Sequence, residues 1–142
     1  MQNSDQKEMQ KMQNIDELET VLYAGNLLLS SGAEIYRAEE TMHRIADAMH
    51  IEDLDAYVTN RGIFASGNVP GKGIESRIMS VPDKELNIDK IEAVNELSRE
   101  VCSNCLDISY LRTSLQKIAD MGEQKVSERI LSYFLGAGCF SY

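Results

Sequence analysis

The sequence predicts an α+β fold, with a small antiparallel meander set between two pairs of helices. Three observations predict it. Apolar residues recur at helical spacing up to residue 49 and again from residue 88, β-branched and aromatic residues partly alternate between 54 and 81, and the strand-like segments follow one another without a helix between them. Strands grouped in this way argue against a parallel α/β sheet.

The first helix is expected from about 15 to 31. Asn14 can cap it with Glu17 three residues on, and Ile15, Leu18, Leu22, Gly25 and Leu29 follow at helical spacing, with Val21 and Leu28 widening the face. Ser31-Gly32 should end this helix, because glycine tolerates the left-handed conformation that closes one. Ser31-x-x-Glu34 has the spacing of a capping box for the next. On the second helix, about 33 to 49, Ile35, Ala38, Met42, Ile45 and Met49 form an apolar stripe. Glu34, Arg37, Thr41 and Arg44 form a polar row beside it, bordering the core and able to face a pocket.

After His50 the pattern changes to Leu54-Asp-Ala-Tyr-Val-Thr59, a strand. Asn60-Arg61-Gly62 reads as a tight turn into a second strand, Ile63 to Ser66. Gly67 to Gly73 reads as a loop by its glycine and proline content, and Ile74 to Val81 as a third strand ended by Pro82. Asn87 should cap a third helix carrying Ile88, Ile91, Val94, Leu97 and Val101. Asp107 should cap a fourth carrying Ile108, Leu111, Leu115 and Ile118, ended by Gly122.

With 142 residues, 43% hydrophobic and 26% charged, the chain has the composition of one globular domain with one core. The net charge of -9 makes it a poor binder of phosphate backbones, and no basic patch interleaved with aromatics offsets this, so nucleic acid is not an expected partner. Three cysteines are too few for a secreted disulfide framework and fit a reducing compartment. Residues 1–13 lack the apolar core of a signal peptide and read as a disordered polar lead-in; residues 14–122 form the α+β domain. Residues 123–142 are a connector and an apolar segment, uncharged from Ile130 to Tyr142. Composition alone allows a buried C-terminal helix or the beginning of a transmembrane helix. Gly136 and Gly138 suit close packing in lipid, and Lys117, Lys125 and Arg129 ahead of the run would hold the domain on the cytoplasmic side.

Candidate chemistry is sparse. Cys102-Ser-Asn-Cys105 is a single C-x-x-C without a second pair, more simply two thiols than a redox or zinc site. Glu39, His43, Asp47 and His50 line one helix face at a spacing that could hold a divalent metal, but a solvated face explains them more simply. The glycines 67, 71 and 73 lack the Lys-Ser/Thr of a phosphate loop. No exposed nucleophile accompanies the two histidines, so no enzyme, metal or cofactor is expected. The row Glu34, Arg37, Thr41 reads either as an ion pair tying the second helix to the sheet or as a polar cluster that binds a small zwitterion or anion, or couples the domain to a membrane part.

Ser31 to Met42, then Thr59 with Gly62-Ile-Phe64, Ser76-Arg77 before Val81-Pro82, and Asn87-Ile-Asp-Lys followed by Val94 to Arg99, together resemble the threonine/serine exporter family from about residue 17 to 142. The resemblance implies a cytoplasmic domain followed by transmembrane helices, the first of which would begin in the uncharged run and sit in the cytoplasmic membrane. It implies export of threonine, serine or similar small organic acids. By resemblance, Glu34, Arg37, Glu39, Thr41, Thr59, Gly62, Asn95, Ser98 and Arg99 fall on motif positions, and of these Glu34, Arg37, Glu39, Thr41, Thr59, Asn95 and Arg99 are the candidate binding or coupling residues. The expected partners are the membrane, through the C-terminal segment, a small amino acid or organic acid, and a second copy or a partner membrane subunit. A hydrolase-like domain attached to a transporter and a purely structural oligomerisation module are the alternatives.

Overall fold

The computed structural model describes residues 3–6, 16–104 and 107–121, of which 3–6 are helical and exposed. The expected Asn14, Ile15, Cys105 and Gly122 positions and the apolar run lie outside the described residues. The element order is α1 (Glu17–Ser30), α2 (Ile35–Ala48), β1 (Glu52–Val58), β2 (Gly62–Val69), β3 (Gly73–Ser80), α3 (Ile88–Asn104) and α4 (Ile108–Asp120), as the α+β reading predicts. The sheet is an antiparallel meander in the order β1-β2-β3. Helices α1 and α2 form a middle layer, with the sheet on one side and α3 and α4 on the other.

Helix α1 starts two residues later than the Asn14 cap would place it. Asp16 caps it instead, its Oδ1 accepting from the amides of Leu18 at 3.0 Å and Glu19 at 3.2 Å. The helix is buried on nearly every side, from Leu18 to Leu29, because it packs against the sheet and all three other helices. Gly25 makes the contact with α2 possible: a Cβ there would lie 2.5 Å from Met42 Sδ and 3.2 Å from Ile63 Cδ1.

The α1–α2 junction closes through backbone bonds rather than a capping box. Gly32 adopts φ +95°, the Ala33 amide donates to Leu28 O at 2.9 Å and the Gly32 amide to Leu29 O at 3.1 Å. This is the Schellman pattern, which satisfies carbonyls that the helix end leaves open. Ser31 is buried in it, and Glu34 occupies the N-cap of α2 with no side-chain cap bond, so the Ser31–Glu34 box does not form. Helix α2 ends the same way, with His50 at φ 60° as its left-handed residue and Ile51 donating to Ala46 O at 2.9 Å.

Strand β2 runs further than expected. Gly67, Asn68 and Val69 pair with Glu75, Ile74 and Gly73, so they belong to the sheet and not to a loop. Gly67 is there for close approach, since a Cβ would lie 2.7 Å from Ile51 Cγ2. The reversal is confined to residues 70–72, with Gly71 at φ +79° and the Lys72 amide donating to Val69 O at 3.0 Å. Proline followed by a positive-φ glycine is the type II signature.

Helix α3 begins as predicted at Asn87, whose Oδ1 accepts from the Lys90 amide at 3.1 Å. Asp107 stands at the N-cap of α4 but makes no side-chain cap bond. Val94, Leu97, Val101, Leu111, Leu115 and Ile118 enter the core, whereas Ile88 stays exposed.

Candidate functional site

Of the polar row of α2, Thr41 and Arg44 face α3 and not the sheet, while Glu34 and Arg37 are exposed. Thr41 Oγ1 donates to Asn95 Oδ1 at 3.3 Å, and Arg44 Nη1 donates to Ser98 Oγ at 3.2 Å. Ser98 Oγ donates in turn to Asn95 O at 2.7 Å. Thr41 and Ser98 are both buried. The two interhelical pairs each span 54 residues, so a step of three on one helix matches a step of three on the other. The two helices therefore run in the same direction along this seam. At its far end Cys102 Sγ approaches Arg44 O at 3.4 Å, and Arg44 Nη2 also reaches Glu40 Oε1 at 3.5 Å on its own helix.

Burying the hydroxyls of Thr41 and Ser98 between two helices is tolerable only because each finds a partner. Among the described residues, no buried side-chain nitrogen or oxygen lacks one. The seam is thus a satisfied polar strip within an otherwise apolar helix contact, an arrangement that fixes register between two helices.

The other motif residues lie elsewhere. Glu34 and Arg37 are exposed at the start of α2, where Arg37 Nε approaches Tyr36 OH at 3.4 Å. That contact, aided by the phenol's charge and by Glu34 and Glu40, raises the guanidinium's pKa further. Glu39 is half-buried and Arg99 exposed. Thr59 belongs to the β1–β2 turn: its Oγ1 donates to Gly62 O at 2.9 Å and accepts from the Gly62 amide at 3.1 Å. Of the seven candidate binding or coupling residues, the structure joins Thr41 with Asn95, and beside them it places Arg44 and the motif residue Ser98.

An open depression of about 430 Å³ lies at the opposite end of α2, lined by His43, Asp47, His50, Ile51, Glu52, Asp53 and Leu54. It gathers three residues of the Glu39–His50 face, but no group of three His, Cys, Asp or Glu among the described residues is placed to hold a metal ion.

The comparison with known families is to a transporter family. The chain belongs to the threonine/serine exporter family, ThrE, which matches residues 19–142 and so takes in the sheet, α2, α3, α4 and nearly all of α1. No curated protein and no solved structure matches the chain. No described helix is long and apolar enough to cross a membrane.

Proposed function

We propose that residues 16–121 form the cytoplasmic domain of an exporter of threonine, serine or similar small organic acids, and that the domain couples to the membrane part through the α2–α3 seam. The observation that carries this reading is the seam itself: the motif residues Thr41 and Asn95, 54 apart in sequence, meet there, and beside them Arg44 reaches the buried motif residue Ser98. Side chains that lock two parallel helices can pass a displacement of one to the other as a unit. The uncharged run from Ile130 to Tyr142 supplies the membrane contact, and Lys117, Lys125 and Arg129 before it favour the cytoplasmic side.

Efflux of labelled threonine, serine and succinate from preloaded cells tests the activity. Cells expressing the protein should release one of them faster than cells without it; equal release of all three would overturn the reading. The side of the membrane is read from Cys102, which is exposed on α3. With Cys105 and Cys139 replaced by serine, an impermeant maleimide should label it only after the cells are opened.

A further inference from the structure

Among the described residues, the two edges of the sheet differ in how they are blunted. Edge strands invite pairing with another chain unless bulges or self-repelling charges blunt them. Strand β1 has both devices: its register with β2 shifts between Glu52 and Asp55, Asp53 sits at φ 53°, and Glu52, Asp53 and Asp55 make it acidic. Strand β3 shows neither device among the described residues, running eight residues in unbroken register with β2, although Asn26 of α1 donates to the Ser80 carbonyl at its end. It also carries Ile74 and Ile78, which are 80% and 78% exposed.

The order of residues on β3 is self-complementary. Ile74-Glu75-Ser76-Arg77-Ile78 reads the same in polarity from either end and opposite in charge. We propose that β3 pairs antiparallel with β3 of a second copy of this chain about a two-fold axis at Ser76, making one six-stranded sheet. In that register each Glu75 lies opposite Arg77 of the second copy, extending the pairs that Arg77 already makes with Glu75 and Asp16 of its own chain, and each Ile74 lies opposite Ile78 of the second copy. Moving the axis by half a residue pair in either direction sets Glu75 against Glu75 or Arg77 against Arg77, which like-charge repulsion disfavours.

The backbone fits this register. Val81 donates to Arg61 O, so by alternation the amides and carbonyls of Ile74, Ser76 and Ile78 point away from β2. The Ser76 carbonyl accordingly accepts from Arg77 Nη1 at 2.8 Å and keeps a second lone pair for an incoming amide. The register about Ser76 opposes these outward-facing residues to one another. This pairing is independent of the transport reading, because it rests on the sheet edge alone.

Sedimentation of the 142-residue chain in a mild detergent tests it. The chain should associate to a dimer, and Glu75→Arg should weaken association about tenfold by creating two like-charge oppositions. With the native cysteines replaced by serine, Ser76→Cys should oxidise to a disulfide-linked dimer, since residues opposed in a ladder come within disulfide reach. Ser80→Cys, opposite Lys72 of the second copy, should not. A monomer at every concentration, association unchanged by Glu75→Arg, or equal cross-linking at both positions would overturn the proposal.

Discussion

Arg44 and Ser98, on different helices and 54 residues apart, are joined at 3.2 Å through a hydroxyl with no exposed surface. Removing that hydroxyl deprives Arg44 of an acceptor inside the contact and leaves a small void. Ser98→Ala should therefore lower stability by about 1–2 kcal/mol. Urea unfolding measures it, and Arg44→Gln in the same background should show a non-additive loss, as expected for groups that share a partner.

Gly25 invites the opposite intuition. Alanine in a helix interior is favoured over glycine by about 1 kcal/mol. Here the added methyl would meet Met42 Sδ at 2.5 Å, with Ile63 behind it. Overpacking of a filled core costs about 1–3 kcal/mol, so the clash wins and Gly25→Ala should lower the thermal midpoint.

His50 closes α2 at φ 60°, a conformation that strains any residue with a Cβ. Its backbone bond to Asp47 O survives substitution. His50→Gly should stabilise the domain by about 1 kcal/mol, seen as a higher denaturant midpoint.

Alkaline pH should weaken the fold through two groups. Burial raises the Tyr23 phenol above its ordinary 10.0, against the opposing pull of Arg112, whose guanidinium lies 4.8 Å from the ring centre. A hydrogen bond and charge from Glu17 raise Lys72 above 10.5. Both pKa values are higher folded than unfolded, so their contribution is full below the unfolded values and lost as pH rises through the folded ones. Unfolding midpoints should fall as pH rises above about 10. Tyr23→Phe keeps the ring under Arg112 and should flatten part of that fall.

Much of the fold was legible because it rests on periodicity. The helices and the meander follow from the spacing of residues such as Leu18, Leu22, Val94 and Leu97, which the core buries. Local chemistry was less legible where tertiary contacts decide it. Ser31 and Glu34 have capping-box spacing, yet Gly32 closes the junction through backbone bonds and buries Ser31. Gly67 reads as a loop residue, yet Ile51 requires it within a strand. The candidate site was half legible. Thr41 and Asn95 stand on motif positions, but their meeting depends on α3 returning beside α2. The matched pairs Thr41-x-x-Arg44 and Asn95-x-x-Ser98 are the signal that would have joined them.

The seam's role in export is tested most directly by threonine efflux from cells expressing the protein with Asn95→Ala or Ser98→Ala, each normalised to the protein present in the membrane. Lys72→Met, which breaks only the surface pair with Glu17, serves as the control. If the α2–α3 seam couples the domain to transport, the seam variants should export about tenfold more slowly, the equivalent of about 1.4 kcal/mol of lost coupling, while the control exports normally. Export at the normal rate by folded, membrane-inserted Asn95→Ala and Ser98→Ala would contradict it.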